Sequence, residues 1–316
     1  MGCLYNGRMH RFAPWPTLWQ GSSMTMGLLI NSKAGGGRQR IEDLLPDDVE
    51  IEVERPASRE EAQAIFQAWR LRHQRILLAG GDGTFHLAAE ALIDGESPGL
   101  EIGLVPAGTG SDLNRSLPGD PSLEARLELA IRGEITHPLR LAAVDSPEGK
   151  TAFINVASMG MSGYVVDNVE RLFKRVGVFG YNLAMFHGIT TFSPQAMEVR
   201  VDGETLHSGD TMICAVGCGR YFGSGKMVTP FGDPFGDDLH VVAICLPKLK
   251  ALWATRLLPT GGHLALDGVV HARGQRVEIL GGCEVKGEYD GELGPTLPIT
   301  ITRGPIHGRL VVSELP

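Results

Sequence analysis

The stretch LLAGGDGTFHLAAEAL, Leu77–Leu92, decides the fold. An apolar run stops at Gly80-Gly81-Asp82-Gly83-Thr84, and helical patterning follows at once. Strand, glycine turn and helix form the repeating unit of a parallel α/β sheet, whose strands present their carboxyl ends along one edge. The turn has two readings. It is an ordinary βα connection, or it is backbone cleared of side chains so that phosphate oxygens can approach the N–H groups opening a helix.

The same unit recurs on either side. MGLLIN (Met26–Asn31) reads as a buried strand followed by SKAGGG, and VEIEVE (Val49–Glu54) alternates as a second strand. In SREEAQAIFQAW, Ser58 and Glu61 form a capping-box pattern, and Ala62, Ile65, Phe66 and Trp69 repeat at helical spacing. RILLAG and EIGLVP are further strands, and DPSLEARLELAIRG supplies a closing helix. These elements predict a Rossmann-like parallel-sheet nucleotide domain over residues 26–140. Residues 1–25 are expected to be an extension or a misassigned start, since Met24 and Met26 stand just before the first strand.

After residue 140 the rhythm changes. TAFINVAS, AMEVRVDG, DTMICAVGC, DLHVVAICL, QRVEIL and PTLPITITRG are strand-like, and helical patterning is expected only around Val166–Arg175 and Leu249–Leu257. Residues 141–316 therefore predict a β-rich second domain, whose last strand is free to return to the first. A cleft between two such domains is a usual place for a small-molecule site.

Bulk properties narrow the function. The 316 residues carry a net charge of −8 with 43% apolar content, which fits a globular chain and excludes a general nucleic-acid binder. An acidic chain can still bind ATP, because backbone N–H groups hold phosphate without side-chain cations. Five cysteines without framework spacing point to a reducing, cytoplasmic setting. VGVFGYNLAMFHGITTF, from Val176, is too interrupted for a membrane span.

Three glycine loops each follow a strand of the parallel sheet: Asn31–Gly37, Gly80–Thr84 and Pro106–Asp112. Together on one edge they could surround a polyphosphate, with the helix N-termini behind them offering free N–H groups. Asp82 would hold Mg²⁺ against the phosphates, and Thr84 and Thr109 would donate hydroxyl hydrogen bonds. Other phosphate motifs fail: GRYFGSGKM has Arg220 at the first glycine position of a Walker loop and Met227 after Lys226, and no complete G-x-G-x-x-G is present.

NSKAGGG, GGDGT and PAGTGSD resemble the signature segments of the diacylglycerol kinase catalytic superfamily, which includes bacterial lipid kinases and the sphingosine and ceramide kinases. The resemblance continues through FINVASMGMSGYVV, CGRYFGSGKMVTPFGDPFGDDLHVV and EVKGEYDGE, covering nearly all of the chain after residue 25. It implies an NAD-kinase-like nucleotide domain, a C-terminal β-sandwich, and ATP-dependent phosphorylation of a lipid hydroxyl. The implied nucleotide-binding positions are Asn31, Gly80, Gly81, Asp82, Gly83, Thr84, Gly108, Thr109, Ser111 and Asp112.

Asp-Gly-Glu occurs at Asp94–Glu96, Asp202–Glu204 and Asp290–Glu292, and the last two also read as hairpin turns. Only the last matches the family's C-terminal acidic segment. The resemblance therefore implies Glu292 as general base, supported by Asp290. Three departures stand out. His86 and Leu87 replace the family's Asn-Glu, and Ser111 replaces an asparagine. DPFGDD stands where the family's DPFDG helps hold a structural Mg²⁺; Asp233, Asp237 and Asp238 keep the local negative charge, and Asp233 and Asp237 are the implied ligands.

The implied partner is a lipid, diacylglycerol or a relative, met transiently at a membrane surface. VERLFKRVGVFGYNLAMF, with Arg171, Lys174 and Arg175, could touch a bilayer or be a helix packed on the β domain with a solvated basic face. The sequence leaves the oligomeric state open, a homodimer included. Two rival functions remain: an NAD kinase-like enzyme, which would share GGDGT and the two-domain plan, and a non-catalytic nucleotide sensor.

Overall fold

The computed structural model of the chain describes residues 24–31, 41–93, 95, 97, 99–108, 111–168 and 177–315. Four parallel strands, β1 (Met26–Ile30), β2 (Ile51–Glu54), β3 (Arg75–Gly80) and β4 (Glu101–Pro106), lie in the order β2-β1-β3-β4. Between them run helices α1 (Arg59–Trp69), α2 (Asp82–Ile93), α3 (Asp112–Ser116) and α4 (Leu123–Arg132). β1 and β3 are buried along their whole length because both sheet faces are covered. Leu29, Ile76 and Leu78 pack with Phe66 and Trp69 of α1 and Leu92 of α2, whereas Leu28, Ile30 and Leu77 pack with Leu127 and Ile131 of α4.

The second half is built from β5 (Thr136–Ser146), β6 (Gly149–Phe153), β7 (Val156–Gly160), α5 (Met161–Asn168), α6 (Gly177–Thr191), β8 (Gln195–Val201), β9 (Glu204–Thr211), β10 (Ile213–Gly217) and β11 (Leu239–Ile244). It continues with α7 (Lys248–Ala254), β12 (Val269–Gly274), β13 (Arg276–Gly281), β14 (Gly287–Tyr289), β15 (Glu292–Gly294) and β16 (Ile299–Val311). The long β16 runs parallel to β4 through Arg309–Glu101 and Leu310–Ile102, and antiparallel to β5 and β13. One ten-stranded sheet therefore crosses both halves of the molecule.

A six-stranded antiparallel sheet, β12-β11-β10-β7-β14-β15, faces part of it. The core between them is a sandwich, with Val199, Val277 and Ile301 from one sheet meeting Met159, Val216 and Tyr289 from the other. Helices α5, α6 and α7 cover the outer side of the six-stranded sheet through Met161, Val165, Ala184 and Ala251 packed near Val242.

Two readings of the second half change. The helix expected from Val166 begins at Met161, and α6 is an additional helix in the stretch read as glycine-broken. Gly188 there makes close packing possible: a Cβ on it would stand 2.5 Å from Val165 of α5. Asp202-Gly203 and Asp290-Gly291 both adopt left-handed backbone, with φ of 50° and 89°, and 52° and 93°. They are tight hairpin turns joining β8 to β9 and β14 to β15. Asp94 and Glu96 of the third Asp-Gly-Glu lie outside the described residues.

Candidate active site at the strand-end rim

The described parts of the three glycine loops are hydrogen-bonded into one rim. Asn31 Nδ2 donates to Thr84 Oγ1 at 3.0 Å, and the Ala107 and Gly108 N–H groups both donate to the Gly80 carbonyl, at 2.9 and 3.1 Å. Position 80 must be glycine, since a Cβ would stand 2.1 Å from Thr84 Oγ1. Residues 32–37 and Thr109 lie outside the described residues.

Asp82, expected to face a metal, also binds backbone. Its two oxygens accept the Asp112 and Leu113 N–H groups, at 3.0 and 3.1 Å, and so cap α3. The first amides of α3 are therefore occupied rather than free for phosphate. Burial pushes the Asp82 carboxyl up to about 7; the two N–H bonds oppose this, and the Asp112 carboxylate adds to it. Ser111 Oγ is buried and has no hydrogen-bond partner among the described residues.

Asp112 reaches across to the second half of the chain. Its carboxylate accepts the Ser224 and Gly225 N–H groups, at 2.8 and 2.7 Å. The glycine-rich string that imitates a Walker loop is thus a tight turn, with Ser224 at φ 65°, gripping an acid instead of a phosphate. Lys226 closes that turn by donating to the Gly223 carbonyl at 2.8 Å.

Asp290 and Glu292 stand at the same junction in different states. Asp290 is buried. Its oxygens accept the Ile154, Asn155 and Val156 N–H groups at 2.9, 2.9 and 3.1 Å, and His86 Nδ1 lies 3.1 Å away. Such a carboxylate anchors backbone. Glu292 is exposed, and its Oε1 lies against the glycine turn, 3.0 Å from where a Cβ on Gly83 would be. Of the pair, Glu292 has the free oxygen that proton transfer needs.

Between the two halves lies an open cleft of about 140 Å³, lined by Asp82, Asp112, Asn155, Phe222, Glu288 and Asp290 among others. Asn155 donates to the Tyr221 carbonyl, and its buried Oδ1 has no partner among the described residues. A much smaller cavity under Phe235, of about 10 Å³, is walled by Leu113, Pro138, Leu139 and Ile154 and holds no carboxylate.

The residues fit two implied metal sites differently. Among the described residues no group of three or more His, Cys, Asp or Glu side chains converges as a metal cage. Mg²⁺ arriving with a nucleotide needs only one or two carboxylates beside the phosphates. The cleft, lined by Asp82, Asp112 and Asp290, suits such a cation. The loop with Asp233, Asp237 and Asp238 does not. Asp233 Oδ1 accepts the Phe235 N–H, while Asp237 pairs with Arg140 at 3.4 Å and Asp238 with Arg273 at 3.3 Å. The carbonyls of Asp233, Pro234 and Gly236 accept from the Arg303 guanidinium at 3.2, 2.8 and 3.1 Å. An arginine supplies the positive charge that a structural ion would bring.

His86 is the site residue that sequence reasoning missed, having registered it only as a departure. Leu87 beside it is core. The available signal was spacing: Asp82, His86 and Glu90 fall four apart on an otherwise apolar helix, so they share one face.

Residues 25–143 match the diacylglycerol kinase catalytic domain, and residues 155–312 match the YegS C-terminal NAD kinase beta sandwich-like domain. The chain belongs to the diacylglycerol kinase family of lipid kinases. A Citrobacter koseri protein named as a probable YegS-like lipid kinase is 31% identical over 253 residues, covering 76% of this chain and 81% of that one. The crystal structure of a diacylglycerol kinase from Bacillus anthracis superposes with a TM-score of 0.73 at 18% identity, covering 93% of this chain and 99% of that one. An Archaeoglobus fulgidus NAD kinase in complex with ATP shares the fold at a TM-score of 0.50 and 16% identity, covering 92% of this chain and 94% of that one. The kinase fold is thus as expected: a parallel-strand nucleotide half joined to a C-terminal sandwich.

Proposed function

We propose that this lipid kinase family member transfers the γ-phosphoryl group of ATP, with Mg²⁺, to a hydroxyl of diacylglycerol or a closely related lipid. The observation that carries the reading is Glu292, an acid from the sandwich half lying against Gly83 of the nucleotide turn. In the proposed reaction Glu292 accepts the lipid hydroxyl proton as the oxygen forms its bond to the γ-phosphorus. The bond from that phosphorus to the β-bridging oxygen breaks, and ADP leaves. Asn31 and the Gly80–Thr84 turn form the nucleotide rim, Asp82 ties that turn to α3, and Asp112 holds the Ser224–Gly225 turn of the second half against it. Asp82 would hold Mg²⁺ beside the nucleotide, where the ion would supply charge neutralisation for phosphoryl transfer. Asp290 fixes the hairpin from which Glu292 projects.

The acceptor would be met at a bilayer surface. No described helix is long and apolar enough to cross a membrane. Leu183 and Phe186 of α6 and Leu249 and Trp253 of α7 are exposed, and α7 bears Lys248 and Lys250 with no acidic residue. Apolar side chains beside cations suit an anionic surface. Arg171, Lys174 and Arg175 lie outside the described residues.

Radiolabelled ATP offered to a total lipid extract, with the product identified by mass spectrometry, tests the function. Label in a diacylglycerol-derived phosphate supports it. Label in no lipid, with label appearing instead when NAD is offered in a parallel reaction or with none in either, would defeat it.

A further inference from the structure

The polar stripe of α2 continues beyond that helix. His86 is buried, with Nδ1 3.1 Å from Asp290 Oδ2 and Nε2 3.5 Å from Glu90 Oε1. A neutral imidazole has one N–H, so a ring with a carboxylate at each nitrogen is best satisfied as the cation. Glu90 Oε2 is 2.6 Å from Arg59 Nη2 on α1, and Arg59 Nη1 is 3.9 Å from Glu292 Oε1. Charges alternate along this path: Asp290, His86, Glu90, Arg59, Glu292. Its two ends belong to one hairpin turn, so the path closes on itself.

We propose that His86, Glu90 and Arg59 form a brace that aims Glu292 at the nucleotide turn, with Arg59 as its positioning residue. The proposal rests on the kinase reading above, and it assigns a task to three residues outside the glycine loops. At 3.9 Å Arg59 attracts the Glu292 carboxylate without occupying its oxygens with a short hydrogen bond, which leaves an acceptor for the substrate proton. Glu90 fixes Arg59 from behind, and His86 fixes Glu90. Because Asp290 also caps residues 154–156, the brace ties the helices of the nucleotide half to the turn carrying the acid. Packing alone would not call for a buried, doubly paired histidine here, since an apolar side chain would fill the space without desolvating charge.

The experiment is a set of variants in the full chain, assayed with ATP and a lipid acceptor and checked by thermal unfolding. Arg59→Met is expected to lower kcat by about tenfold or more, with the KM for ATP within about twofold and the fold retained. Arg59→Lys recovers part of the loss. In a Glu292→Ala background Arg59→Met adds no further loss, because the group it positions is gone. Glu90→Gln and His86→Asn reproduce a share of the Arg59→Met effect. An unchanged kcat for Arg59→Met, or a loss that adds in full to that of Glu292→Ala, overturns the brace. If the wild-type protein phosphorylates no lipid, the functional reading fails. The brace is then judged separately, by a thermal-unfolding double-mutant cycle between His86→Gln and Asp290→Asn. Coupling within that pair sustains it, and additive shifts overturn it.

Discussion

Glu292 Oε1 sits 3.0 Å from the point where a Cβ on Gly83 would stand, so the bare backbone at Gly83 is what admits the acid to the nucleotide turn. Gly83→Ala is therefore expected to slow phosphoryl transfer by about tenfold by displacing Glu292. Alanine favours the helix by up to about 1 kcal/mol, so the slowing would accompany an equal or raised melting temperature. Glu292→Ala should lower kcat by about 10²-fold to 10⁴-fold, as expected for loss of a general base. Steady-state kinetics alongside thermal unfolding checks both; full activity in either variant contradicts the placement.

Asp290 should answer differently from Glu292. Asp290→Asn retains one carbonyl oxygen but turns an amide group toward backbone N–H donors, costing about 2–4 kcal/mol of stability. Urea denaturation of the two variants separates the roles: a large loss for Asp290→Asn, and a change within about 0.5 kcal/mol for the exposed Glu292→Ala.

His86 makes stability depend on pH in a defined direction. Burial disfavours its charge, but hydrogen bonds to Asp290 and Glu90 prevail and raise it from 6.5 to about 9. A histidine raised on folding contributes stability that is complete below its unfolded value and is lost as pH rises through the folded one. Wild-type stability should therefore fall between pH 6.5 and about 9 by more than that of His86→Asn. Parallel denaturation curves across that window would refute the assignment.

Arg303 should matter where a structural ion does not. Arg303→Met leaves the Asp233, Pro234 and Gly236 carbonyls, and that of Arg140, without their donor. We expect a loss of about 3 kcal/mol, because hydrogen bonds to a charged donor are among the stronger ones. Mg²⁺ or EDTA added to nucleotide-free wild type should leave its melting temperature unchanged. A rise with Mg²⁺ that disappears in Asp233→Ala would restore a metal to this loop.

The apolar face of α6 and α7 gives the membrane prediction. Replacing Leu249 and Trp253 together by aspartate should abolish co-sedimentation with anionic vesicles at low salt, while turnover of a short-chain dispersed acceptor persists. Equal sedimentation of wild type and double variant would reject this face.

The parallel half was legible because its signals are local: short apolar strand runs, a capping box at Ser58 and glycine turns at strand ends all lie within short windows. The glycine loops and Glu292 were legible as motifs. The rest depends on contacts between residues distant in sequence. Nothing near Asp82 announces that it caps α3, and nothing in GSGKM announces Asp112 as its partner. Asp202 and Asp290 occupy equivalent hairpin turns, and each uses its carboxylate to bind backbone from another strand, so local sequence alone does not separate them. α6 was hidden for the opposite reason: its glycines read locally as breakers, yet Gly188 is the spot where a second helix leans in.

The route of β16 has a consequence for how the molecule assembles. Its pairing with β4, β5 and β13 inserts the final strand into the middle of the larger sheet rather than adding it at a margin. During synthesis β4 waits with an open hydrogen-bonding edge until β16, about two hundred residues later, has left the ribosome, and such distant closures are slow. Trimming the chain before Ile299 would therefore strand the nucleotide half as well as the sandwich, leaving a sticky intermediate in place of a working fragment.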